Sequence, residues 1–417
     1  MNQCKTESIY QSSSSCRIIR AKVRCEMEKE YVLQQQVTIL NSKPSTQFRL
    51  DALSRDGNEH RSYAKSVILT DKSILTVLER DMYIDRTFIE RILDSLQEIM
   101  QEVNRQKMSL LLHVNCKNTV RFFENHTLNL LEERILRVVL RNQHGASFLS
   151  DVPLFKCQGE SNSAVVKMCN EALRNIALCA NKHDDIIKGH ITHCVLAPQA
   201  AAYLFHEIVG HLFEYDYLSS GQCIFNMNHL GADLFPKCIT VIDDFEVMED
   251  YGVCFGQYDD RGQPLKKTIV VQNGKVCNAI KTRRVDTIQN NPLYRMYNLF
   301  LKENNNGLTQ SEMIQKIDSG ILIRNATAGS VNPLTGQFSL NASNCAFVKN
   351  GKLLCEISDF VISTDLQKVI ESIEQVGKDI SFFPSQCSKK GQIITVGTGA
   401  PSVLLSATSV LEDGLWT

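Results

Sequence analysis

Two histidines five positions apart in an apolar run constrain this chain more than any other feature. The run is Phe205-His206-Glu207-Ile208-Val209-Gly210-His211-Leu212-Phe213-Glu214-Tyr215-Asp216. It sets two imidazoles and two carboxylates within nine consecutive positions. Polar groups taken out of water need partners, and a bound cation is one economical partner for several of them. Neutral imidazole is the commonest metal ligand, and a Glu beside it can act as general base. The familiar zinc-peptidase pattern, H-E-x-x-H, puts its two His on one helical face. Here there is one residue more. At about 100° per residue, a five-residue step leaves the rings roughly 140° apart on an ideal helix. Both can reach one ion only if the helix distorts. Gly210 tolerates unusual dihedrals, and a single π-helical turn absorbs one extra residue. The spacing predicts a metal helix with a π-bulge near Gly210. Two surface His that bind nothing would be the ordinary reading of a lone His, but not of this constellation with Glu214 three residues on.

The 417 residues suit two domains or one large one, and 43% hydrophobic with 22% charged residues describes a globular protein. A net charge of -1 lacks the basic field of a nucleic-acid or anionic-membrane binder. No stretch approaches the ~20 apolar residues of a membrane span. The start, Met1-Asn2-Gln3-Cys4-Lys5-Thr6-Glu7, lacks a basic-then-apolar signal layout, so a cytoplasmic location is expected. The 15 cysteines are scattered without a C-x-x-C pair, which fits reduced, buried thiols. Two His make an incomplete ligand shell, and one cysteine can complete it. Spacing does not say which.

Apolar–polar alternation predicts strands between Tyr31 and Thr70, including Tyr31-Val32-Leu33 and Ser66-Val67-Ile68-Leu69. Asp85 is placed to cap a helix whose stripe runs from Phe88 through Leu96, Ile99 and Met100 to Val103. A strand follows over Met108 to Val114, and a second helix over Asn162 to Cys179 with Cys169 and Leu173 inside. His190 to Leu196 reads as a strand leading into the metal helix near Pro198. Beyond it, hairpin signals recur. Asn273-Gly274 and Asn350-Gly351 each sit between apolar runs, and Asp259-Asp260-Arg261-Gly262 and Thr335-Gly336 mark further turns. Helices are expected over Leu308 to Ile321 and Leu366 to Val376. The expected class is α+β: an N-terminal mixed α/β domain, 1–185, then a mainly antiparallel β domain, 186–417, that carries the metal helix.

His206-Glu207-x-x-Gly210-His211-x-x-Glu214-x-Asp216 resembles the active-site helix of the TldD/PmbA family, in its TldD-like metallopeptidase branch. Further stretches match in the same order. Val241-Ile242-Asp243-Asp244 resembles the strand after that helix, and Asp259 to the Asn273-Gly274 hairpin resembles the D-D-x-G-x-P segment. Gly329 to Lys352 resembles the later sheet. Cys387-Ser388-Lys389-Lys390-Gly391-Gln392, followed by Val396-Gly397-Thr398-Gly399-Ala400-Pro401, resembles the segment that carries the third metal ligand, a cysteine. The likeness covers roughly residues 160–417 and implies an N-terminal region shorter than is usual in the family. Ser388 stands where the family has glycine, and Leu212 where a small residue often follows the second His.

The resemblance implies a zinc ion held by His206, His211 and Cys387, with Glu207 as catalytic base and Glu214 as an acceptor behind a ligand imidazole. Asp216 is assigned no chemistry. The implied activity is hydrolysis of peptide bonds in small or unfolded peptides, leader segments among them. The implied assembly is a homodimer, or a heterodimer with a TldE/PmbA-like subunit that lacks the metal motif. Strand addition to a sheet edge would suit an extended substrate. Gly397 and Gly399 would suit close approach by a substrate, and His190 and His193 would suit an oxyanion, although a turn and ordinary sheet positions are the plainer readings. Two rival readings stay open: a metal-binding regulatory subunit, since the family has been described as modulating DNA gyrase, and a hydrolase with Cys387 as nucleophile. Glu207 weighs against the first, because a structural site needs no adjacent base.

Overall fold

The computed structural model describes residues 29–40, 43–54, 62–63, 94, 96–105, 107–122, 128–141, 147–153, 169–170, 173, 191–246, 258–259, 263–285, 292–357 and 359–406. The first described part is one six-stranded antiparallel sheet with the order β3-β2-β1-β4-β5-β6. Its strands are β1 (Lys29–Leu40), β2 (Lys43–Ser54), β3 (Ser62–Tyr63), β4 (Ser109–Phe122), β5 (Leu128–Arg141) and β6 (Ser147–Pro153). Helix α1 (Gln97–Arg105) precedes β4 and packs on it. Where the expected stripe is described, Leu96, Ile99 and Val103 are buried and Met100 is half-buried. The strand expected to end at Val114 runs on to Phe122, because it pairs along its length with β5. Cys169 and Leu173 are helical and buried, as the second stripe requires. The strand at Ser66, the cap at Asp85, the rest of the second helix, the boundary near residue 185, His190 and Asp260 to Gly262 lie outside the described residues.

Two further sheets frame the site. One has the order β10-β9-β8-β13-β20-β19. Its strands are β8 (Val241–Asp243), β9 (Thr268–Gln272), β10 (Lys275–Val276), β13 (Asn298–Leu301), β19 (Ser381–Lys389) and β20 (Gln392–Ala400). The other has the order β16-β15-β14-β7-β21-β18, with β17 also paired to β15. It is built from β7 (His193–Leu196), β14 (Ser319–Val331), β15 (Gln337–Lys349), β16 (Lys352–Ile357), β17 (Phe360–Asp365), β18 (Ile373–Val376) and β21 (Val403–Ser406). A small ribbon, β11 (Arg283–Val285) with β12 (Pro292–Tyr294), completes the strands. Neither large sheet is purely antiparallel: β13 runs parallel to β20, and β14 parallel to β7. The α+β class holds, and the later sheets are mainly antiparallel as expected, with one parallel pairing in each.

The turn chemistry explains the hairpins. Asn273 and Gly274 take φ of 48° and 83°, and Asn350 and Gly351 take 49° and 72°. Two successive positive φ values match the twist of flanking strands, and Asn-Gly adopts them at least cost. Lys390-Gly391 makes the same turn between β19 and β20, with φ of 49° and 84°, although no Asn announces it. Two expected helices are cut short. Helix α4 (Gln310–Gln315) starts at a Thr309–Glu312 capping box and stops well before Ile321, which lies in β14. The run Gly320-Ile321-Leu322-Ile323 is buried and pairs parallel with β7, so tertiary pairing overrides the helical spacing. Helix α5 (Leu366–Ser372) gives way to β18, which pairs with β21.

Helix α2 (Pro198–Phe205) leads from β7 of one sheet under β20 of the other. Pro198 suits the first turn, where its missing N–H is not needed. Ala200, Ala201 and Ala202 are fully buried, and their small side chains let a helix fit between two sheets. One hydrophobic core joins this helix to both sheets.

Candidate metal centre

A single π-helical turn, His206–His211, follows α2 without a break. Its i→i+5 periodicity brings residues five apart onto one face. The two rings meet edge to face with centroids 5.0 Å apart. The role of Gly210 differs from the sequence argument. Its φ is not positive. What matters is space, because a Cβ there would lie 2.6 Å from the Met296 sulfur and terminal methyl. The bulge sits on the side chain of a buried methionine.

The thiol arrives from β19. His206 Nε2 and His211 Nε2 each lie 3.2 Å from Cys387 Sγ. The three donor atoms fall within 4.8 Å of one another, the one such metal-competent cluster among the described residues. A tetrahedral zinc with Zn–N of ~2.1 Å and Zn–S of ~2.3 Å separates N from S by roughly 3.5 Å. The donor set matches that span within a few tenths of an ångström. His206 Nδ1 is buried without a hydrogen-bond partner, so the ring is held by packing and by what its Nε2 faces. The residues therefore fit a zinc ion in number, chemistry and spacing.

Cys387 and Lys389 lie on the inner face of β19, whereas Ser388 points outward and is exposed. The replacement of glycine by Ser388 therefore leaves the site face unchanged. Burial opposes ionisation of the Cys387 thiol, but the two neighbouring imidazoles outweigh it and bring its pKa down to about 5. Burial likewise disfavours charge on His211, while the Cys387 thiolate and the Glu214 carboxylate outweigh it and hold the imidazole well above its usual range. Thiolate is the form that ligates metal.

Glu207 is buried, with its Cγ facing Gly329 of β14, where a Cβ would come within 2.7 Å. Glu214 stands at the N-terminal boundary of α3 (Tyr215–Ser220), makes no side-chain capping bond and is completely buried. Its Oε2 lies 3.6 Å from His211 Nδ1, on the side of the ring away from the thiol. It also accepts from Lys389 Nζ at 2.6 Å and from the Met296 backbone N–H at 3.2 Å. Burial raises the Glu214 pKa, but His211, Lys389 and Arg295 more than offset it, and the net is a lowered value. Asp216, assigned no chemistry from sequence, accepts from Lys389 Nζ at 2.7 Å.

Sequence reasoning missed Lys389 and Arg295. Lys389 had a findable signal, since residues two apart on a strand share a face and Cys387 was already a candidate. Arg295 had none. Gly397 and Gly399 lie within β20, not in a turn, and a Cβ on Gly399 would strike the Phe382 ring, so packing accounts for that glycine. His193 is an ordinary sheet residue: its Nδ1 contacts Thr192 Oγ1 at 2.9 Å and its Nε2 approaches Glu374 at 3.6 Å.

A His-His-Cys cluster beside a buried glutamate, held where a π-turn meets a strand between two sheets, is a candidate metal centre. The family profile described as the PmbA/TldA metallopeptidase C-terminal domain matches residues 189–412, more than half of the chain, and the chain belongs to the TldD/PmbA family. A metalloprotease of Methanocaldococcus jannaschii is 28% identical over 227 residues, 51% of this chain and 49% of that protein. A zinc metalloprotease TldD homolog of Saccharolobus solfataricus is 24% identical over 230 residues, 52% of this chain and 50% of its own length. The chain thus matches only about half the length of these curated relatives. The crystal structure of TldE from Thermococcus kodakarensis superposes with a TM-score of 0.61 at 14% identity, covering 91% of this chain and 95% of that one. That likeness is one of fold. No helix among the described residues is long and apolar enough to cross a membrane.

Proposed function

We propose that this chain is a zinc-dependent peptidase that hydrolyses peptide bonds in small or unfolded peptides, with His206, His211 and Cys387 as ligands and Glu207 as base. The observation that carries this reading is the meeting of two imidazole nitrogens with one sulfur at 3.2 Å, across about 180 residues of sequence. When bound, zinc supplies a Lewis acid that polarises a carbonyl and acidifies water. Glu207 accepts the proton of the attacking water on its carboxylate and delivers it to the leaving amine nitrogen as the C–N bond breaks. Glu214 faces His211 Nδ1, which favours the proton on that nitrogen and leaves Nε2 free to ligate. The presence of Glu207 speaks against a purely structural metal site, and the convergence of two imidazoles on one sulfur, where a nucleophile needs a single base, favours Cys387 as a ligand.

The substrate edge we favour is on β14. β7 pairs with β14 only from Gly320 to Ile323, and Gln199 then covers Ala326 with both ends of its amide. From Ala328 to Val331, no described strand occupies that side, and Gly329 in this stretch lies against Glu207. An extended peptide adding there would run past the proposed base. Action on leader peptides, assembly as a homodimer or with a TldE/PmbA-like subunit, a cytoplasmic setting and a domain division near residue 185 complete the proposal.

The test is metal analysis with a peptide-degradation assay. Purified protein should carry about one zinc per chain. Glu207→Gln should keep that zinc and lose on the order of 10²–10⁴-fold in hydrolysis. Protein purified without metal, or undiminished turnover in the variant, would overturn the assignment.

A further inference from the structure

We infer that Arg295 is a positioning residue for the metal centre, setting the thiol-bearing strand in register with the imidazole-bearing turn. The inference rests on the zinc reading of His206, His211 and Cys387. Arg295 is fully buried, among the largest side chains to be so. Its Nη2 donates to the Cys387 backbone carbonyl at 2.8 Å, and its Nη1 donates to Gln392 Oε1 at 2.7 Å. The first contact holds the ligand residue itself, and the second holds the strand beyond the Lys390-Gly391 turn. Its Nε lies 3.6 Å from Glu214 Oε1, and Glu214 is the carboxylate that faces His211. One guanidinium therefore spans from the backbone of the sulfur ligand to the carboxylate behind an imidazole ligand.

The neighbours of Arg295 repeat the pattern. Met296 donates its backbone N–H to Glu214 and fills the space beneath Gly210. Tyr297 and Asn298 donate theirs to Asp243 of β8, and the Asn298 side chain accepts from Gly397 of β20. Residues 295–298 thus touch the π-turn, Glu214, β8 and the β19–β20 hairpin. Lys389 closes the charge balance. It binds Glu214 and Asp216 and stacks on the Tyr217 ring at 4.2 Å, so two buried cations face two carboxylates.

Stability alone is a poor reason to bury such a group. Desolvating an ion pair costs several kcal/mol per ion, and apolar residues of similar size often serve stability as well or better. What a planar fork supplies is fixed geometry. Lysine has the charge but cannot donate in two fixed directions to Cys387 and Gln392 at once. Partners behind metal ligands typically change affinity by about 10–100-fold when lost.

The experiment compares cobalt and zinc binding to the full chain and to Arg295→Lys, Cys387→Ala and Val270→Ala. Val270 is fully buried in the same core, on β9, and serves as a control for general destabilisation. Competition with a chelator gives the affinity, and the thiolate-to-cobalt absorption reports the sulfur's approach to the ion. Arg295→Lys should bind about 10–100-fold more weakly, with a diminished thiolate band, while Val270→Ala binds as the parent does. Parent-like affinity and spectrum in Arg295→Lys would overturn the inference and leave the zinc reading intact. Equal losses in Arg295→Lys and Val270→Ala would overturn it too, by reducing the effect to general loosening. A parent chain that binds neither metal sinks the zinc reading, and this inference with it. Cys387→Ala confirms which signal belongs to the sulfur.

Discussion

A methyl group at Gly329 would sit 2.7 Å from Glu207 Cγ and 3.3 Å from its Oε1. Carbon in that place must push the carboxylate away, since no real Cβ tolerates the closer distance. The ligands lie on other elements, so the metal should stay. Gly329→Ala is expected to retain zinc and to lose roughly 10²-fold in turnover, the order associated with a 1 Å misplacement of a catalytic group. Zinc content and kcat measured on one preparation check this, and unchanged turnover would detach Glu207 from the base role as placed. The same logic corrects the reading of Gly210. Sequence marks that glycine as the pivot of the bulge, but for dihedral freedom. The structure uses its missing side chain as room for Met296. The position was legible because five-residue spacing cannot close on a regular helix. The reason was not, because Met296 lies in a segment with no periodic signal of its own. Arg295 was invisible for the same cause, as its partners are a backbone carbonyl and two distant side chains.

Strands β8 and β13 meet at one buried carboxyl. Asp243 accepts from the Tyr297 and Asn298 backbone N–H groups at 3.0 and 2.8 Å. Burial pushes its pKa up to about 7, against the pull of those two donors. Its ordinary value is 3.8, so the folded state holds the proton more tightly than the unfolded chain does. A raised folded pKa confers stability that is complete below the unfolded value and is lost as pH rises towards the folded one. Between about pH 4 and 7 the slope can reach about 1.4 kcal/mol per pH unit. Glu214 titrates elsewhere. Its lowered pKa gives stability that is lost only as pH falls below the ordinary carboxylate range. Cys387, whose thiol pKa is brought down to about 5, adds stability over the same interval, but equally in Asp243→Asn, whose amide oxygen keeps both acceptor contacts. The denaturant midpoint of the parent chain should therefore fall relative to that of the variant from pH 5 to 7. An identical trend in the two would remove Asp243 as the source of that fall. At this scale, Val241-Ile242-Asp243-Asp244 was marked as a strand by the family resemblance, and the Asn-Gly hairpins were readable from their turn residues. The ends of α4 and α5 were not, because Ile321 and Ile373 fit either a helical stripe or a buried strand until β7 and β21 supply partners.

Across the whole molecule, the proposed ion would join segments that the backbone leaves far apart. His206 and Cys387 are 181 positions distant in sequence, one on the turn after α2 and the other near the end of β19. A ligand that binds the folded state alone adds its binding energy to folding, because the unfolded chain offers no preformed site. At a free concentration 1,000 times its dissociation constant, the gain is about 4 kcal/mol. Resemblance had singled out Cys387 from the 15 cysteines, and its inward place on β19 shows why spacing could not. The convergence depends on how two sheets pack about one helix, which no local pattern encodes. Removing metal should therefore lower the melting temperature of the parent chain, and restoring zinc should recover it. Cys387→Ala should melt near the metal-free parent and respond little to either treatment. Cys355→Ala, altered on β16 away from the donor cluster, should respond like the parent. Calorimetry with and without a chelator measures all three. If chelation shifts Cys387→Ala and the parent equally, the stabilising ion sits elsewhere in the chain, and the sulfur on β19 is no ligand.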